Sequence, residues 1–186
     1  ALYGSSIYQK NSFLTDKANT KVASEILTFH DDPLIISGFG SRCFDNEGLN
    51  AVKRIVVENG ILRNYFIDTY YGRKLNLQPT SGSTSNIIFK TGPRDLNGLI
   101  TSVDRGILVT GFNGGNCNGA TGDFSYGIEG FFVEKGEMIH PVSELNISGN
   151  MTDFWNTLTD VGNDPYQYSS RQTPSMLFEN TVVSGI

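Results

Sequence analysis

Two apolar runs, each turned back by an acidic residue, a variable residue and a glycine, constrain this chain most. Arg54-Ile55-Val56-Val57 and Ile61-Leu62-Arg63-Asn64-Tyr65-Phe66 flank Glu58-Asn59-Gly60. Asn-Gly supplies two residues that tolerate positive φ, which a tight hairpin turn requires. Phe131-Phe132-Val133 and Met138-Ile139 flank Glu134-Lys135-Gly136-Glu137 in the same manner. An internal repeat is one reading of this pair; two separate hairpins is the plainer one. Both readings demand antiparallel β-structure. Glycine follows suit, with 21 residues against 6 prolines and no collagen period, as a chain of turns and close backbone approaches needs.

Further strands are predicted over Val22 to His30, Asn86 to Lys90, Ile107 to Phe112, Glu144 to Ile147 and Met176 to Val183. Each is rich in β-branched or aromatic residues and bounded by Gly, Pro, Asp or Asn. Three helices are predicted. Leu96, Leu99, Ile100 and Val103 in Asp95 to Asp104 fall at i, i+3, i+4 and i+7, with Gly106 as a stop. Met151, Phe154, Trp155 and Leu158 repeat the spacing in Met151 to Val161, with Asn150 as N-cap and Gly162 as end. Asp68 to Leu77 is a weaker helix with Asp68 as cap. The expected fold class is α+β, a mainly antiparallel β-sheet domain with two or three short helices. The 186 residues suit one domain, and no linker divides them. Pro79 to Asn86 reads as a mobile loop.

Charge and composition exclude several functions. With 19 acidic and 14 basic residues the net charge is −5, and no basic stripe for nucleic acid is present. No run of about 18 apolar residues suggests a membrane span, and Ala1 to Phe13 is too polar for a signal peptide. Two cysteines, Cys43 and Cys117, make no disulfide framework, so a reduced, cytoplasmic protein is the expectation. Two histidines, His30 and His140, lie far apart and outside any zincin spacing. The chain opens on Ala1 and not on methionine, as a processed chain or an excised domain would.

No catalytic constellation follows from the residues alone. Gly111 to Gly122 is glycine-rich, but it lacks the lysine of a phosphate-binding loop and no helix pattern follows it. It reads as a long connection between two strands whose glycines admit close approach of backbone, from a neighbouring strand or a bound peptide. Cys43 follows Arg42, a weak hint of a lowered thiol pKa. Asp31, Asp32, Asp45 and Glu47 are carboxylates that sequence cannot place across a substrate.

The same segments resemble the TldD/PmbA family, the "modulators of DNA gyrase". Ile7 to Leu14, Phe29-His30-Asp31-Asp32-Pro33, Gly38-Phe39-Gly40-Ser41, Phe44-Asp45-Asn46-Glu47-Gly48 and Tyr71 to Leu77 occur in the family's order. So do Thr121-Gly122-Asp123-Phe124-Ser125-Tyr126-Gly127, Gly130 to Glu137, Pro141 to Glu144, Ile147 to Asn150 and Val161 to Asp164. Family members are about twice as long as this chain, so residues 1–186 look like a single domain, the C-terminal one, without the N-terminal half.

The resemblance implies proteolysis, as a metallopeptidase family. TldD- and PmbA-type subunits pair in the cytoplasm around a chamber that takes unfolded peptides. The TldD type carries zinc on a His-Glu-x-x-x-His helix, which would fall at or just before Ala1, with a cysteine near its C-terminus. Ser169 to Ser175 holds no cysteine, which favours the PmbA type. The expectation is therefore a supporting subunit with no catalytic residue, metal or cofactor of its own. Its zinc would sit on a TldD-type partner; a homodimer is the other arrangement. Neither nucleic acid nor membrane is an expected partner. The expected peptide-binding residues are Gly114, Gly115, Asn116, Thr121, Gly122, Asp123, Phe124 and Ser125. A carbohydrate- or peptide-binding β-domain without catalysis is the alternative, and a thiol or carboxylate enzyme acting alone a more distant one.

Overall fold

The computed structural model describes residues 1–185; Ile186, the end of the predicted domain span, lies outside the described residues. In chain order the elements are α1 (Gly4–Tyr8), β1 (Phe29–Asp31), β2 (Arg54–Glu58), β3 (Ile61–Leu62), α2 (Thr69–Leu75), β4 (Ile87–Phe89) and α3 (Leu96–Thr101). Then come β5 (Arg105–Cys117), β6 (Asp123–Glu134), β7 (Glu137–Asn150), α4 (Met151–Asn156), β8 (Leu158–Val161), β9 (Arg171–Gln172), β10 (Met176–Phe178) and β11 (Val183–Ser184). This is an α+β fold with mainly antiparallel pairing. Helix α1 was not anticipated.

Both hairpins form where the turn residues place them. Asn59 and Gly60 take φ of 48° and 75°, and Lys135 and Gly136 take 51° and 79°. They belong to different sheets. The first joins β2 to β3 in a five-stranded sheet ordered β3-β2-β1-β4-β9; the second joins β6 to β7 in a four-stranded sheet ordered β11-β7-β6-β5. Strands β8 and β10 pair separately.

The main core lies on the five-stranded sheet. Val56, Leu62, Phe66 and Ile67 are all but inaccessible, and Leu158 and Val161 close over them. Trp155 packs against this core from α4, edge-to-face with Phe178 at 5.6 Å.

Local signals set the helix starts. Asp68 accepts a hydrogen bond from the Tyr71 N–H, Asp95 from Gly98 and Asn150 from Thr152, each satisfying a donor that the first turn leaves free. The ends differ from expectation. Helix α4 stops at Asn156, and Leu158 belongs to a strand, because β10 offers it a partner at Phe178. Helix α3 stops at Thr101, and Gly106 lies inside β5. Of Val22 to His30, only the last two residues join a strand, and Met176 to Val183 is split between β10 and β11.

Candidate functional site: the edge strand β5 and its turn

Gly111 to Gly122 is not the open connection that its composition suggests. Residues up to Cys117 continue β5, which pairs with β6 from Arg105↔Glu134 to Cys117↔Phe124. Only Asn118 to Gly122 turn the chain. The pairing breaks twice, at Thr110 and at Asn113-Gly114, where the register skips from Phe112↔Ile128 to Gly115↔Tyr126. Two residues there face Gly127 alone, a bulge that bends the strand and sharpens its twist.

Glycine is required at the bulge. Gly115 sits at φ 114°, and a Cβ there would run into the Ser125 carbonyl and the Tyr126 backbone. Gly114 sits at φ 78° and faces open space. Phe112, 67% exposed, lies edge-to-face on Tyr126 at 5.8 Å. The bulge was not anticipated.

The turn is tightly bonded. Asn118 Oδ1 accepts from the Ala120 N–H at 3.0 Å, and the Asn118 N–H donates to the Asp123 carbonyl at 2.8 Å. Thr121 Oγ1 donates to Asp123 Oδ2 at 2.7 Å, and Asn150 Nδ2 donates to Asp123 Oδ1 at 2.9 Å. These two donors hold the Asp123 carboxyl below its usual range. Ser125 Oγ and the Asn146 amide bond to each other at about 3.1 to 3.2 Å.

The eight expected residues therefore divide. Gly114, Gly115, Asn116, Thr121, Asp123 and Ser125 are exposed, while Gly122 and Phe124 are buried. Phe124 packs edge-to-face on Phe154 at 5.4 Å and anchors the turn to α4. It supports the surface from beneath.

The wider geometry is that of an open edge. β5 ends the four-stranded sheet, and its outer side meets no strand among the described residues. The opposite edge strand is β11, a two-residue strand that covers β7 only at Asn146 and Ile147. β7 carries Pro141, which has no N–H to offer an added strand, and a left-handed residue, Glu144 at φ 59°; β5 has no proline but is itself interrupted at Thr110 and Asn113-Gly114.

A second polar group lies where β1 ends. Asp31 is 1% exposed; its Oδ1 accepts from the Ser85 N–H at 2.6 Å and the Ser85 hydroxyl at 2.7 Å. Its Oδ2 is buried without a hydrogen-bond partner, as are Arg42 Nε and Arg54 Nη1. Burial pushes the Arg54 guanidinium below its usual pKa, while Asp31 and Asp45 favour its charge. The other carboxylates named from sequence have structural partners. Asp32 pairs with Lys53 at 2.9 Å, Asp45 Oδ1 accepts from Glu47 and Leu49 N–H groups at 2.9 Å each, and Glu47 accepts from Thr69. Asp45 and Glu47 also line a cavity of about 200 Å³ with Asp68 and Ser83.

The histidines and cysteines lie apart from one another. His30 is on β1; His140 is on β7, stacked on Phe132 at 5.4 Å. Cys43 and Cys117 are free and lie on separate elements, and no three His, Cys, Asp or Glu side chains are grouped as metal ligands among the described residues. No helix among those residues is long and apolar enough to cross a membrane.

Fold and edge together define a class: an α+β domain with mainly antiparallel pairing that presents a glycine-bulged strand with no partner on its outer side among the described residues. Residues 1–185 match the "PmbA/TldA metallopeptidase C-terminal domain", and the chain belongs to the PmbA/TldD metallopeptidase family. A metalloprotease PmbA homolog of Buchnera aphidicola subsp. Baizongia pistaciae is 37% identical over 189 aligned positions, covering 100% of this chain and 42% of its own length. A crystal structure from Bacteroides thetaiotaomicron, described as a candidate modulator of DNA gyrase, superposes with a TM-score of 0.97 at 50% identity, covering 100% of this chain and 42% of that one. TldE from Thermococcus kodakarensis superposes with a TM-score of 0.89 at 25% identity over 99% of this chain and 45% of its own. The chain thus spans less than half the length of the relatives it matches.

Proposed function

We propose that this domain captures extended, unfolded peptides by letting them add as a further strand along β5. In this reading it serves as the PmbA-type half of a two-subunit peptidase whose zinc is on a TldD-type partner. The observation that carries the reading is the free outer edge of β5, thirteen residues long at the end of its sheet. Main-chain bonds to such an edge give affinity with little regard for sequence, which suits an unfolded substrate. Pro141 on β7 and the cover of Asn146 and Ile147 by β11 favour strand addition at β5, which has no proline and no partner strand on its outer side among the described residues. The exposed side chains of Thr121, Asp123 and Ser125 would border one end of the peptide. The PmbA assignment is supported by the 37% identical PmbA homolog and by the lack of cysteine from Ser169 to Ser175. A cytoplasmic setting is part of the reading, since both cysteines are free thiols.

The test is to incubate the full-length protein with its TldD-type partner and an unfolded peptide. Metal-dependent cleavage by the pair, and none by this protein alone, is expected. Equal cleavage by this protein alone, or none by the pair, overturns the assignment.

A further inference from the structure

The connection between β1 and β2 has no part in the β5 edge, yet it carries six of the exposed large apolar side chains among the described residues. Ile36 is 94% exposed, Phe39 70%, Phe44 64%, Leu34 59%, Val52 58% and Leu49 39%. Together these side chains offer on the order of 700 Å² to water, close to the roughly 800 Å² that a standard interface buries per partner. Single exposed apolar residues need no explanation, but six within nineteen positions do.

The base that carries them is fixed. The Arg42 N–H donates to the Pro33 carbonyl at 2.9 Å and the Ala51 N–H to the Cys43 carbonyl at 3.0 Å, closing two successive loops. Asn86, fully buried, clasps the first: its Nδ2 donates to the Asp32 carbonyl at 2.8 Å and its Oδ1 accepts from the Gly40 N–H at 2.8 Å. Arg42 Nη2 donates to the Ser83 carbonyl at 2.7 Å, and Asp45 holds the second loop through Glu47 and Leu49. Apolar tips on a bonded base form a preorganised surface, because little ordering remains to be done on contact.

We infer that this face is where the remainder of a full-length PmbA-type chain docks. In the Buchnera homolog and in the Bacteroides structure the matched region is 42% of the chain, so more than half of each lies outside it. Contacts between domains of one chain run to about 600–1,500 Å², a range that the exposed loop tips reach. The inference is independent of peptide capture at β5, and either can fail without the other.

Cys43, exposed beside Phe44, is a built-in reporter. In the intact full-length protein at nanomolar concentration, maleimide labelling of Cys43 should be at least about tenfold slower than in denaturant. The double variant Ile36→Asp with Phe39→Asp should restore fast labelling of Cys43 while leaving Cys117 unchanged. Cys117 is the control for general unfolding. A second variant, Phe39→Ser, should give an intermediate rate if the paired aspartates prove too disruptive. Fast labelling of Cys43 in the intact protein overturns the inference. So does protection that vanishes on dilution, which assigns the face to a second copy.

Discussion

Asn150 Nδ2 donates to Asp123 Oδ1 at 2.9 Å and also to the Thr121 carbonyl at 2.9 Å. One amide thereby ties the β5–β6 turn to the start of α4, where the Asn150 Oδ1 caps the helix at the Thr152 N–H. Asn150→Ala removes both functions. It should cost about 1–2 kcal/mol in urea unfolding, the range of a lost cap. It should also let the Asp123 carboxyl titrate nearer its ordinary value, read by NMR. Because Asp123 is lowered in the folded state, its stabilising effect is present above about pH 3.9 and is lost as pH falls through the lower folded value. An unchanged Asp123 titration in the variant would refute the link.

The two bulge glycines should differ. Gly115→Ala meets both a left-handed φ and backbone atoms of Ser125 and Tyr126, so a loss of about 3 kcal/mol or more is expected. Gly114→Ala has the same kind of φ but open space, so about 1 kcal/mol is expected. Thermal melts of the two variants check this, and equal losses contradict it.

Asp31 should matter more than its lack of an ion pair suggests. Asp31→Ala leaves two buried donors of Ser85 without an acceptor and removes negative charge from beside Arg54. A loss of about 2–4 kcal/mol is expected in denaturant titration. A loss near zero would show that Ser85 and Arg54 find other partners.

His30 predicts a pH dependence. Burial and the Lys53 ammonium lower its pKa, against the opposing pull of Asp32 and Asp31. The folded state then binds fewer protons than the unfolded state just below about pH 6.5. Stability should be full above that value and fall as pH drops toward the folded pKa. His30→Gln should flatten the slope in this window; the same slope in both proteins would assign it to other groups.

Capture along β5 predicts sensitivity to the peptide backbone. Methylating three amides on one edge of a bound peptide removes three main-chain bonds, each worth about 1 kcal/mol. Binding to the full-length protein should weaken on the order of 100-fold. Methylation on the other edge should have little effect, and equal effects from the two edges would point away from strand addition.

The hairpins at Asn59-Gly60 and Lys135-Gly136 and the caps at Asp68 and Asn150 were legible because each depends on a few neighbouring residues. Asn113 to Cys117 was misread as connection alone because glycine and asparagine give a strand no side-chain alternation to recognise. β6 supplies the pairing that they do not encode. Leu158 kept helical spacing with Phe154 and Trp155, yet its neighbour in space is Phe178 on β10. Phe124 and Ser125 stand next to each other in the chain, but one is buried against Phe154 and the other exposed beside Asn146.

The sequence by itself determined the antiparallel β character, the turn positions, the helix starts and, through its ordered motifs, the family. These follow from φ preferences, capping and segments that lie close along the chain. Tertiary structure alone decided that the hairpins enter different sheets, that β5 is left at an edge and that the β1–β2 loops carry apolar side chains into water. An edge exists because no distant strand pairs there, and burial depends on what packs from far along the chain.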